Sequence, residues 1–159
     1  AKDQWGFDAL TAAAQCGLLD AVKYLVGEAK ADPHAGSPLV SAAEHNQCEI
    51  VRYLVEESGV DVRSRDEEGN TALDYALRHI HLRDLMVVRY LLDAGAPIDA
   101  WVRERCAEIE DERGDVAQLV RSHERVRAAE RALRRDVPAV WPLYKEILAM
   151  VETEVESWY

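Results

Sequence analysis

Nothing in these 159 residues approaches the roughly 18 consecutive apolar residues that a membrane-spanning helix needs. The opening stretch, Ala1-Lys2-Asp3-Gln4-Trp5, has no apolar core of the secretory kind, so any targeting signal is expected outside the segment. Cysteine is scarce and odd in number: Cys16, Cys48 and Cys106 are far apart and form no Cys-x-x-Cys pair. That excludes a disulfide framework and a structural zinc site, and it points to a reducing compartment, the cytoplasm with the nucleus as the alternative. Positive charge is in deficit, 19 Lys and Arg against 30 Asp and Glu, giving a formal net charge of -11. A polyphosphate backbone would be repelled by most of such a surface, so nucleic acid is not the expected partner. There is one Phe and no long alternating β-branched run, so no segment demands a strand. Gly-x-Ser-x-Gly and phosphate-cradling glycine loops are missing too, and with them the common signatures of an enzyme. What is present is 48% hydrophobic residues in one domain's length, rich in Ala, Leu, Val, Glu and Arg: a helical, core-forming chain.

Self-similarity organises the first hundred residues. Ala21-Val22-Lys23-Tyr24-Leu25-Val26, Ile50-Val51-Arg52-Tyr53-Leu54-Val55 and Val87-Val88-Arg89-Tyr90-Leu91-Leu92 share one pattern: two apolar residues, a base, a tyrosine, two apolar residues. Upstream of each lies a second block, Leu10-Thr11-Ala12-Ala13-Ala14, Leu39-Val40-Ser41-Ala42-Ala43 and Leu73-Asp74-Tyr75-Ala76-Leu77, its leucine 12, 12 and 15 residues before the central valine. Each repeat therefore reads as two short helices. Ala13, Ala14, Ala42, Ala43 and Ala76 let the first helices approach closely, and the aliphatics of the second helices fill the layer behind. One pair cannot bury both its faces, so the pairs must stack as a solenoid. Gly17 and Asn46 stand at equivalent places between the helices, and these residue types most readily take the left-handed conformation that ends a helix.

On these residues the sequence resembles the ankyrin repeat. Asp3 to Leu10 and Asp66 to Leu73 match the turn and Gly-x-Thr-Pro-Leu opening, Ser37-Pro38-Leu39 its centre, and Gly59-Val60-Asp61 and Gly95-Ala96-Pro97-Ile98-Asp99 its close. The resemblance implies an all-α ankyrin-repeat solenoid of three to four helix pairs, with repeats at about 3–33, 34–65 and 66–100. Leucine spacings of 29 (Leu10 to Leu39) and 34 (Leu39 to Leu73) predict a truncated finger at Asp32-Pro33-His34-Ala35. Three extra residues within 77–83 lengthen the inter-helix segment of repeat three. Residues 101–159 read as a degenerate fourth repeat and an all-α C-terminal cap. A long helix carries the stripe Val116, Leu119, Val120, Val126, Ala129 and Leu133 and stops at Val137-Pro138. A final amphipathic helix is expected from Pro142 to about Ser157.

Candidate chemistry is sparse. His79 and His81 are two apart beside Asp74 and Asp84, whereas ligands on one helical face sit three or four apart. His45 and Cys48 have the right separation, but Cys48 takes the repeat position of Leu19 and Leu85 and reads as core. Neither a metal nor a cofactor is expected. The basic run Arg121, Arg125, Arg127, Arg131, Arg134 and Arg135 reads as a solvated face paired with the acidic final helix, with a docking site for an acidic partner or RNA as the alternative. Trp101 is expected to pack against the cap, with a place at a binding interface as the alternative.

The resemblance further implies a non-catalytic module, a scaffold or adaptor that binds a protein or peptide through its fingers and the exposed face of its first helices. Carried over residue by residue, that surface takes Gln4, Trp5 and Phe7 from the first finger, and Gln15 and Cys16 from the first helix. It continues with Glu44 and His45 from repeat two, and Glu67, Glu68, Asn70, Arg78 and His79 from repeat three. Trp5 and Phe7 have an equal claim as an N-terminal cover. Aromatic at one end and acidic in the middle, the groove should take a partner with apolar anchors and basic residues. A monomer is expected. The alternatives are self-assembly through the C-terminal helices and a regulatory domain of a larger enzyme-containing chain.

Overall fold

Helices account for nearly all the regular structure in the computed structural model, which describes residues 9–78, 85–110, 114–139, 141–144 and 146. In order they are α1 (Ala9–Gln15), α2 (Leu19–Gly27), α3 (Pro38–Glu44), α4 (Cys48–Arg52), α5 (Ala72–Arg78), α6 (Met86–Asp93), α7 (Ala100–Glu110) and α8 (Gly114–Asp136). The chain divides into two compact units, residues 1–120 and 121–159.

In the first unit, α1, α3, α5 and α7 pack in succession as one layer, and α2, α4 and α6 as another. Ala13, Ala14, Ala42, Ala43 and Ala76 are buried in the first-helix layer, where their small side chains allow close stacking. Ile50, Val51, Leu54, Val87, Val88, Leu91 and Leu92 fill the core behind it, and Val102, Cys106, Val116, Ala117 and Val120 extend the same cluster into α7 and the start of α8. The all-α solenoid expected from the repeats is what forms. Cys48, like Leu19 and Leu85, lies partly buried against this core, as its repeat position predicts.

Local chemistry ends the helices where the sequence places Gly17 and Asn46. Both are left-handed, at φ +76° and +55°. The amide after each reaches back five residues, Leu18 N to Ala13 O at 3.0 Å and Gln47 N to Ala42 O at 2.8 Å, so two different residue types close the same turn. Gly95 (φ +98°) repeats the device after α6, with Ala96 N donating to Leu91 O at 2.8 Å. Pro38 opens α3 at its first turn, where a missing N–H costs nothing. α5 opens with a reciprocal cap. The Thr71 amide and hydroxyl donate to Asp74 Oδ2 at 2.6 and 2.9 Å, while Asp74 N donates to Thr71 Oγ1 at 3.3 Å, all buried.

One departure from regularity was not predicted: α4 continues as a π-helical turn over Tyr53–Glu57, which keeps Leu54 fully buried. The short finger of repeat two is a tight turn in which His34 N donates to Asp32 Oδ1 at 2.9 Å. Thr11 Oγ1 crosses from α1 to donate to Gly36 O at 3.0 Å. The predicted insertion at 79–83 lies outside the described residues.

The recurring base and tyrosine form rungs between repeats. Lys23 Nζ lies 6.0 Å from the ring centre of Tyr53, and the Arg52 guanidinium 5.9 Å from that of Tyr90, each base reaching the tyrosine of the following repeat. Such contacts contribute about 0.5–1 kcal/mol each at exposed sites. Tyr90 also hydrogen-bonds Glu56, and burial, that bond and the Glu56 charge push its phenol up to about 12.

In the second unit, the Trp141 and Tyr144 rings stack at 5.8 Å. Arg134 lies 5.8 Å from the Trp141 centroid, and Arg135 pairs with Asp136 at 2.7 Å. Helix α8 ends at Asp136, before Val137-Pro138 as the sequence predicts. The apolar stripe along α8 changes character: Val116 and Val120 are buried but Val126 is 48% exposed. Most of the final helix expected at 142–157 lies outside the described residues.

Candidate functional site

The exposed face of the first-helix layer carries side chains that differ from repeat to repeat. In register, Ala12, Ser41 and Tyr75 occupy one position and Gln15, Glu44 and Arg78 another, three residues on and one turn along each helix. Gln15 is exposed, and its Nε2 lies 3.3 Å from His45 Nε2 across the repeat boundary. His45, also exposed, contacts Ser41 O through Nδ1 at 3.1 Å. Cys16 is exposed with a free thiol, and Glu44 is half-buried. Gln4, Trp5, Phe7 and His79 fall outside the described residues.

Repeat three builds the most developed part of this face. Its finger is a hairpin: Arg65 and Thr71 form an antiparallel bridge, Asp66 N donates to Asn70 O at 2.9 Å, and Gly69 turns at φ +86°. The Asp66 carboxylate fills the loop, accepting from Glu68 N at 3.0 Å and Asn70 N at 2.9 Å. That leaves Glu67 and Glu68 exposed at the tip. Arg65 ties the finger to the start of α7 by reaching Asp99 at 3.6 Å, and Asp99 in turn accepts from Val102 N at 3.1 Å.

Behind the tip, Asn70 joins finger to helix. Its Oδ1 accepts from Arg78 Nη2 at 3.4 Å and its Nδ2 donates to Glu68 Oε2 at 3.3 Å. The Arg78 guanidinium lies over two rings, 4.9 Å from the centre of Tyr75 and 5.6 Å from that of Trp101. Burial raises the Tyr75 phenol above its usual range, and a hydrogen bond with Asp66 and the charges of Asp66 and Glu68 push the same way.

The structure therefore brings Glu67, Glu68, Asn70 and Arg78 into one cluster, and Gln15 and His45 into another. Trp101 is 36% exposed, and the Arg78 guanidinium lies over its ring. Asp66 and Tyr75, which were not among the expected contact residues, also stand in this cluster. Tyr75 could have been found from its register with Ala12 and Ser41. The approach of Trp101 to Arg78 depends on the packing of α7 on α5. Beside the carboxylates of this surface stand a guanidinium and two aromatic rings.

Among the described residues no three His, Cys, Asp or Glu side chains gather around a point that could hold a metal ion. No helix among them is long and apolar enough to cross a membrane.

Comparison with known proteins agrees with the geometry. Residues 10–101 match the family model of ankyrin repeats in three copies. The chain is 38% identical over 96 residues to alpha-latroinsectotoxin-Lt1a of Latrodectus tredecimguttatus, covering 57% of this chain and 6% of that much longer protein. Ankyrin repeats are generally protein-interaction modules rather than catalysts. Three matched copies over more than half the chain, arranged as stacked helix pairs with projecting fingers, make this protein a member of the ankyrin-repeat family.

Proposed function

We propose that the chain is a protein-binding scaffold or adaptor whose fingers and first-helix face hold a peptide segment of a partner. The observation that carries this reading is internal. Positions that pack repeat their chemistry, as Leu10, Leu39 and Leu73 do, while the exposed or half-buried positions Ala12, Ser41 and Tyr75, and Gln15, Glu44 and Arg78, change from repeat to repeat. A surface needed only for solubility has no use for a half-buried arginine stacked on two rings, whereas recognition does. The three cysteines form no disulfide, which supports a reducing location, the cytoplasm. The 6% share of a far longer relative favours, as a second reading, a regulatory array within a larger chain.

The test is affinity capture with mass spectrometry, comparing the native chain with Glu67→Ala/Glu68→Ala and with Tyr75→Ala. The partner should be lost from both variants while the helical circular-dichroism signal and the melting temperature stay near native. Capture unchanged by either variant would remove the groove as the binding surface.

A further inference from the structure

The Asn70 amide stands between two opposite charges. It accepts from the Arg78 guanidinium on one side and donates to the Glu68 carboxylate on the other, so the pair is held apart rather than closed into an ion pair. Arg78 is otherwise held by Tyr75 and Trp101, and attraction to ring faces does not use its N–H donors. Among the described residues its hydrogen bond is the single long one to Asn70, out of the five N–H groups a guanidinium carries. Half-buried Tyr75 and the more exposed Trp101 thus hold an arginine whose donating edge is mostly unspent. Fixing the side chain beforehand lowers the entropy lost when a carboxylate docks.

On this basis we propose that the Arg78–Asn70–Glu68 cluster reads an extended peptide segment carrying an acidic and a basic residue two positions apart, the acid on Arg78 and the base on Glu68. An extended chain puts side chains i and i+2 on one face about 7 Å apart, a span suited to charges separated by one hydrogen-bonded amide. A carboxylate on Arg78 gains a planar, two-bonded geometry that lysine would not offer. The second carboxylate at the tip, Glu67, strengthens the preference for the base and repels a second acid. The proposal rests on the groove being the partner surface and adds to it the charge order of the partner.

Panning a phage-displayed library of random dodecapeptides on the full chain tests it, with the folding of each variant checked by its melting curve. The native chain should enrich peptides with an acid and a base separated by one residue. Arg78→Glu should replace the acid by a second base, and Glu68→Lys should replace the base by a second acid. Should Arg78→Glu melt early, Arg78→Gln reads the same loss of acidic preference. A synthetic peptide from the native pool should bind Arg78→Gln about fivefold to tenfold more weakly by fluorescence anisotropy. No enriched peptide, no enrichment of the spaced pair, or the same pair selected by the Arg78 variants would overturn the proposal. Binding that ignores Arg78 and Glu68 but is lost in Tyr75→Ala would keep the groove and remove the charge reader. Indifference to all three substitutions would remove both.

Discussion

Gly17 sits at φ +76°, and a Cβ built there would lie 2.7 Å from Gln47 Oε1 of the next repeat. Two penalties are thus possible for Gly17→Ala, a backbone one of about 1–2 kcal/mol and a contact one. The contact is with the tip of a flexible side chain that can swing aside, so the backbone should decide. Gly17→Ala should lower stability by about 1–2 kcal/mol in a denaturant titration, and adding Gln47→Ala should restore little of it. Tyr90 offers a second single-residue test. Its phenol is raised from 10.0 to about 12 in the fold, so the native state keeps its proton longer than the unfolded chain. The resulting stability is complete below about pH 10 and is lost as pH rises towards 12. Tyr90→Phe should flatten that decline in melting temperature. At this scale the sequence was informative wherever residue type alone constrains the backbone, as at Gly17, Asn46 and Pro38. It was silent on the Arg78 cluster, because Trp101 meets that guanidinium only once α7 has docked on α5.

Helix α5 begins with a cap in which Thr71 and Asp74 satisfy each other inside the core, at 1% and 4% exposure. Thr71→Ala removes an acceptor for the Asp74 amide and a donor to a buried carboxylate, and should cost about 1–2 kcal/mol in the denaturant midpoint. Thr71→Ser keeps both groups and should recover most of it. The second helices depend on apolar burial instead. Leu54 and Leu91 are fully buried, and truncating either to alanine should cost about 2–5 kcal/mol by the same measurement. Element positions could be read from the three Leu and Tyr blocks because burial imposes a period on the sequence. The π turn at Tyr53–Glu57 could not, since it breaks that period without any Gly or Pro to announce it. Exposure of Val126 was hidden for the opposite reason: an apolar stripe predicts a face, not what lies against it.

Across the first unit, each first helix packs on its own second helix and on the first helices of neighbouring repeats, α1 on α3, α3 on α5, α5 on α7. Stability in such a stack accumulates from neighbouring interfaces, so Leu39→Ala in repeat two should be felt on both sides and lower the midpoint for the whole array. The rungs follow the same rule with a direction built in. Lys23 reaches forward to Tyr53 and Arg52 reaches forward to Tyr90, so repeat two offers a socket to its predecessor and a plug to its successor. Because the plug of repeat two would also fit its own socket, a second copy of residues 34–65 spliced in after the first meets a matched joint at both ends. The array can therefore lengthen by duplication without any new side chain being invented, and a chain carrying the extra copy should melt no lower than the original.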